Sequence, residues 1–123
     1  MTPKLARAFR ASRYEAGGVA IRIGEAGAAL LGRHGVTQAC FVTAWNPFSR
    51  AMPRGWNERM QRALRQAARG RALAEGFGRG RGWAEHHLLV EGDPRRIRVL
   101  ARRFRQFAIV AVLVRGKARL IRV

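Results

Sequence analysis

The segment FVTAWNP, residues 41–47, contains the residues best placed by type and spacing to bind a ligand. It has the pattern of an apolar strand that stops at a polar turn formed by Asn46 and Pro47. Such turns often hold binding groups, because a rigid scaffold fixes the position of the loop. A second segment, WAEHHLLV at residues 83–90, contains Glu85, which can act as a general acid or base. No nucleophile lies at a spacing that would complete a catalytic pair with it.

The histidine and cysteine residues do not predict a metal centre. His86 and His87 are neighbours on a predicted strand, so their side chains point to opposite faces and cannot both bind one ion. The single cysteine, Cys40, lies inside the apolar run 39–42, which is typical of a buried structural thiol. We therefore expect no metal site and no cofactor.

The charge of the chain suggests an anionic partner. The 123 residues carry a formal net charge of +18, and 23 of the 25 basic residues are arginine. Phosphate-rich partners are attracted to such a protein at low salt, so we expect nucleic acid or a nucleotide. One face of a predicted helix carries the expected phosphate contacts, which are Arg59, Arg62, Arg65 and Arg69. Arginine codons are G+C-rich, however, so the charge can instead reflect codon bias in an interaction protein.

Hydrophobic periodicity predicts the elements that position these residues. The predicted segments are a strand at 18–23, a helix at 25–34, a strand at 38–43, an amphipathic helix at 56–69, a strand at 83–91, a helix starting at Asp93, and a hairpin of 107–114 and 118–123. We expect the first strand, the first helix and the second strand to form a parallel crossover. The run GFGRGRG at residues 76–82 predicts a mobile loop, because glycine favours irregular backbone.

The element order β-α-β-α-β-α-β-β predicts a single α+β domain, with three helices packed on a mixed five-stranded sheet. The domain should span residues 14–123, and the basic residues 1–13 should form a flexible arm. No apolar run approaches the roughly 20 residues of a membrane helix. We therefore expect a cytoplasmic protein that does not bind membranes.

Four segments together carry a resemblance to a known family. They are FVTAWNP at 41–47, the helix containing Asn57, WAEHHLLV at 83–90 and ARRFRQFAIV at 101–110. With them the chain resembles DUF3293, a family of small bacterial proteins of unknown function, over nearly its whole length from about residue 14. The resemblance implies no activity. It implies that the family's polar and aromatic positions are occupied by Thr43, Asn46, Pro47, Asn57, Trp83, Glu85, Arg103 and Gln106. Two positions depart from the pattern, since Arg105 and Phe107 stand where Gly and Asn are expected.

The matching residues are predicted to converge on one pocket. Asn46 follows one strand, Glu85 begins another, and Gln106 ends a helix just before a third. Amide groups, an indole face and one acid suit a planar polar ligand such as a nucleobase. Alternatively, the same residues are structural, with Asn46 forming a turn and Glu85 paired with Arg103.

We expect a non-catalytic binding module for an anionic ligand, which is nucleic acid or a nucleotide. The arginine helix would contact phosphates, and the pocket would hold the polar body of the ligand. The alternative is a small enzyme whose active site lies around Asn46, Trp83, Glu85, Arg103 and Gln106.

Overall fold

The computed structural model describes residues 1–123 as an α+β domain with four α-helices and seven β-strands. The helices are α1 (Pro3–Ala11), α2 (Ala28–His34), α3 (Arg54–Ala67) and α4 (Pro94–Arg103), and a 3₁₀ helix covers Pro47–Ser49. The strands are β1 (Arg13–Ala16), β2 (Val19–Ile21), β3 (Gln38–Val42), β4 (Ala72–Gly80), β5 (Trp83–Glu91), β6 (Ala108–Leu113) and β7 (Arg119–Arg122). No helix combines the length and apolar character needed to span a membrane.

All seven strands form one antiparallel sheet in the order β2-β1-β4-β5-β3-β6-β7. The predicted mixed five-stranded sheet with three helices is therefore wrong. The parallel crossover is wrong as well, because β2 and β3 lie four places apart in the sheet. The sequence analysis missed β1, which has only four residues and pairs with β2 through a turn at Gly17 and Gly18.

Residues 76–80 of the glycine-rich run are not a loop but the second half of β4, paired with β1 on one side and β5 on the other, and only Arg81 and Gly82 form a turn. The alternate glycines of β4 share one face of the strand and make room for neighbours. A Cβ atom at Gly76 would lie 2.6 Å from the Glu15 carbonyl oxygen, and one at Gly78 would lie 2.6 Å from the His87 ring. At Gly80 it would overlap the Trp83 indole. Glycine occurs here for space, and not for backbone flexibility.

Helices cover both faces of the sheet, and a core lies on each side. On the face covered by α3 and α4, Leu64 and Ile97 pack on Val42 and Leu88. We call this the arginine face. On the other face, which we call the site face, the core of Tyr14, Leu31, Phe41 and Leu89 is covered by α2 and by Phe9 of α1. Residues alternate between the faces along each strand, so Trp83, Glu85 and His87 of β5 share the site face, whereas His86 points to the arginine face.

The first 13 residues, which we expected to form a flexible arm, contain α1. The Thr2 hydroxyl caps this helix by accepting a hydrogen bond from the Leu5 amide at 3.1 Å. Ala6 is buried and Phe9 packs against the core of the site face. Helix α1 also forms one wall of a cavity on the site face.

Candidate functional site

The turn after β3 has an unusual backbone. Asn46, Phe48 and Ser49 all adopt positive φ angles, of 46°, 50° and 59°. Asn tolerates this left-handed region, but Phe and Ser normally avoid it because their Cβ atoms crowd the backbone. Such strain persists only where surrounding contacts hold the backbone in place, and it occurs often at binding and active sites.

A reciprocal pair of asparagines holds the turn. The Asn57 Oδ1 atom accepts a hydrogen bond from the Asn46 amide at 2.9 Å, and its Nδ2 atom donates to Asn46 Oδ1 at 2.9 Å. Asn57 also donates to the Met52 carbonyl at 3.2 Å, while Asn46 Oδ1 accepts from the Met52 amide at 3.0 Å. Asn57 is buried on the first turns of α3, so the pair ties the strained turn to a helix.

Three further buried polar side chains hold the same segment. The Thr43 hydroxyl donates to the His86 carbonyl and accepts from the Trp45 amide. Gln61 accepts from the Ala44 amide at 3.0 Å, and Gln106 donates to the Trp45 carbonyl at 3.1 Å. Since these side chains satisfy backbone groups that would otherwise be buried without partners, they fix the path of residues 43–46.

The turn, α1 and the start of β5 enclose a cavity of about 260 Å³ on the site face. Its walls are largely apolar, and its polar groups come from Asn46, Ser49 and Glu85. The remaining lining residues are Leu5, Ala8, Phe9, Ala51 and Trp83. A smaller space of about 30 Å³ continues beneath it, between Glu85, His87, Thr43 and Gln106.

Glu85 is the only ionisable side chain in the wall of the larger cavity. Its Oε2 atom accepts a hydrogen bond from Asn46 Nδ2 at 2.8 Å, and no protein group bonds to Oε1. Burial raises the pKa of this carboxyl, and the Asn46 hydrogen bond opposes the increase only in part. The charged form is thus poorly solvated, and one oxygen remains available to a ligand.

His87 lies below Glu85 and is almost fully buried. Burial lowers its pKa to about 4, so the ring is neutral at physiological pH. Its Nδ1 atom lies 3.2 Å from the Glu85 carbonyl oxygen and must donate to it, which leaves Nε2 unprotonated. The ring meets Tyr14 edge-on at 5.6 Å, and burial also raises the pKa of the Tyr14 hydroxyl.

The structure brings most of the predicted pocket residues together. Asn46, Trp83 and Glu85 line the larger cavity, and Thr43 and Gln106 line the smaller space with them. Asn57 stands behind Asn46 as a support. Arg103 does not join them: it is exposed on α4, stacked over Phe104 at 5.9 Å, and forms no ion pair with Glu85.

Comparison with known proteins identifies a family. The family described as "Protein of unknown function (DUF3293)" matches residues 42–109, which is more than half of the chain. The chain belongs to this family. The matched part of the DUF3293 chain runs from β3 to β6 and so contains Asn46, Asn57, Glu85 and Gln106. No curated protein and no solved structure matches the chain.

The two departures from the expected DUF3293 pattern now have a structural context. Arg105 has a φ of 56°, the left-handed region in which glycine is the favoured residue. Its carbonyl oxygen accepts a hydrogen bond from the Phe48 amide at 2.7 Å, so Arg105 helps to hold the strained turn. Phe107 packs against Phe48 at 5.1 Å, which adds an apolar contact at the same place.

Five of the eight residues in the cavity wall were not predicted from the sequence, namely Leu5, Ala8, Phe9, Ser49 and Ala51. Leu5, Ala8 and Phe9 come from α1, a segment predicted to be flexible, and their role depends on where that helix packs. No sequence pattern marks Ser49 as a cavity residue, because its side chain faces the cavity only as a result of the positive φ that Ser49 adopts in the turn. His87 carried one signal, since alternation along β5 places it on the same face as Glu85.

The predicted phosphate contacts lie on the arginine face, on the opposite side of the sheet from the cavity. Arg59 and Arg62 are exposed on α3, Arg69 is exposed in the turn after it, and Arg65 pairs with Glu75 at 2.8 Å. The basic residues of α4 lie on the same side, since both helices pack on one core. The cavity and the arginine helix therefore form two separate surfaces.

Proposed function

We propose that this protein is a binding module for a nucleotide-type ligand and that the cavity holds the planar base. One observation carries the proposal: the Glu85 carboxylate lies in a largely apolar cavity, and its Oε1 atom has no partner. A carboxylate is a pure acceptor that suits adjacent N–H groups, and these occur on the edge of several nucleobases.

The size and walls of the cavity support a single ring system. Ligand pockets usually measure about 300–1,000 Å³, so a cavity of about 260 Å³ suits a base and not a whole nucleotide. The Trp83 indole is 38% exposed and offers a face for stacking. Sugar and phosphate would remain outside the cavity, near Arg50 and Arg81. Arg50 lies between the lining residues Ser49 and Ala51, and Arg81 lies in the turn between β4 and Trp83.

A second candidate function is catalysis of a proton transfer. The specific observation is the raised pKa of Glu85, because a carboxyl that titrates closer to neutrality is a better general acid or base. In this version Asn46 orients the carboxylate, and the bound ligand receives or loses a proton at Oε1.

Binding can be tested by thermal shift and calorimetry with a panel of bases, nucleosides and nucleotides. Glu85→Gln removes the charge but keeps a side-chain oxygen for Asn46, and we expect it to abolish the ligand-induced rise in melting temperature. Glu91→Gln is the matched control, since it makes the same change at the exposed far end of β5. Equal binding by both variants would refute the proposal, and ligand turnover lost only in Glu85→Gln would establish the enzyme.

A further inference from the structure

A second cavity, of about 250 Å³, opens on the arginine face between α3 and the end of the sheet. It is lined by Trp45, Glu58, Gln61, Arg62, Arg65 and His86. Because it lies across the sheet from Glu85, it is independent of the cavity in which we place the base.

Two hydrogen-bond donors at this cavity have no partner. They are Trp45 Nε1 and Gln61 Nε2, both buried. The orientation of the Gln61 amide is fixed, since its Oε1 atom accepts the Ala44 amide at 3.0 Å, so the unpaired atom is the nitrogen. A buried donor without a partner is unfavourable, because it has lost its hydrogen bonds to water and gained none in the protein. The missing partner must be an acceptor, because neither nitrogen accepts hydrogen bonds.

The charges around the cavity favour an anionic acceptor. The one acid, Glu58, pairs with Arg54 at 2.8 Å, and Arg65 pairs with Glu75. Arg62 is exposed and forms no ion pair, so its guanidinium can turn toward a bound group. Both orphan donors are covered in this structure, so an anion would reach them only when side chains that line the cavity move aside.

The rings beside the cavity form a continuous row. His86 stacks on Trp45 at 5.1 Å and meets Phe77 at 4.7 Å, and the Arg79 guanidinium lies 4.9 Å from the Phe77 ring centre. Aromatic rings and arginine planes on a sheet surface are the groups on which unpaired bases stack.

We infer that this cavity binds the phosphate-ester oxyanion of a nucleotide, with Trp45 Nε1, Gln61 Nε2 and Arg62 as its donors. The base stacks on the adjoining row of rings formed by Trp45, His86 and Phe77. The phosphate belongs either to a free mononucleotide or to a single strand of nucleic acid, and the two sources share this chemistry.

The test is a titration with inorganic phosphate, with a mononucleotide and with a single-stranded oligonucleotide. The Trp45 indole N–H resonance is monitored by nuclear magnetic resonance during each titration. We expect the signal to shift on binding, and Arg62→Gln to weaken binding about tenfold or more, the effect of losing one charge-assisted hydrogen bond. Arg59→Gln is the matched control on the same helix and should change affinity less than about twofold, since Arg59 does not line the cavity.

Gln61→Glu keeps the acceptor for Ala44 and replaces the donor with a negative oxygen, so it should abolish binding. Trp45→Phe keeps a ring against His86 but removes the N–H, so its binding is measured by calorimetry and should be weaker than that of wild type. This variant is a second test if Gln61→Glu fails to fold. No shift of the Trp45 signal with any of the three ligands, or equal weakening by Arg62→Gln and Arg59→Gln, would overturn the inference.

Glu85→Gln should leave this binding unchanged, so this inference and the proposed function can fail separately. Tighter binding of the oligonucleotide than of the mononucleotide would identify a single strand as the source.

Discussion

Acidification should destabilise the protein through His87. Its pKa is about 4 in the folded state, against an ordinary value of 6.5. Between these two values the unfolded chain binds a proton that the folded chain does not, so the free energy of unfolding decreases as the pH falls. A difference of about 2.5 pH units corresponds to about 3 kcal/mol, a large part of the stability of a small domain.

The assay is urea unfolding of wild type and His87→Asn at several pH values from 4 to 7.5. Asn retains an N–H donor for the Glu85 carbonyl, although it fills less space and lowers stability at every pH. The informative quantity is the dependence on pH: the variant should lack about 3 kcal/mol of the wild-type loss between pH 6.5 and 4. The contribution of Glu85 is present in both proteins and cancels in the difference.

Nuclear magnetic resonance gives an independent check, because the His87 ring signals report its titration directly. A midpoint near 6.5, or the same pH dependence of stability in both proteins, would show that burial does not exclude the charged ring.

The remaining predictions concern the residues that shape the site. Glu85→Gln should raise the melting temperature at pH 7. The pKa of Glu85 is above its ordinary value of 4.5 in the folded chain, so the wild type loses stability as the pH rises from 4.5 through that raised pKa, whereas the glutamine variant does not. The gain should vanish below pH 4.5, and no gain at pH 7 would contradict the raised pKa. Asn57→Ala removes three hydrogen bonds and should cost about 3 kcal/mol in urea unfolding, whereas Gln66→Ala on the exposed side of α3 should cost little. Gly76→Ala should cost about 1–3 kcal/mol, since its Cβ atom would lie 2.6 Å from a backbone oxygen; a neutral effect would mean that β1 and β4 separate easily. Arg105→Gly should stabilise the protein by about 0.5–1 kcal/mol by relieving a positive φ, and a loss of stability would mean that the arginine side chain matters more.

The sequence by itself determined the local elements whose signals are short-range. Helix α3 lies close to its predicted bounds, although its buried residues are Asn57, Gln61 and Leu64 and not an apolar stripe. Helix α4 is capped by Asp93 as predicted, and the Asp93 carboxylate accepts the Arg95 amide at 2.9 Å. Strand β5 covers Trp83–Glu91 as predicted, and the closing strands β6 and β7 pair as a hairpin. These elements depend on periodicity, capping and turn residues, which a linear chain displays directly. The resemblance to DUF3293 was also visible in the sequence, and the family match over residues 42–109 confirms it.

Only the tertiary structure decided which strands pair and which side chains meet. The glycine-rich run looks like a loop by composition, yet residues 76–80 belong to a central strand, in which Gly78 and Gly80 leave the space that the His87 and Trp83 rings occupy. Arg103 has the same charge as its neighbours on α4, but α4 packs on the arginine face, across the sheet from Glu85, and Arg103 stacks over Phe104. The cavity combines α1, the turn at Asn46 and β5, which lie far apart in the chain. Such contacts depend on long-range packing of the whole sheet, and no local pattern encodes them.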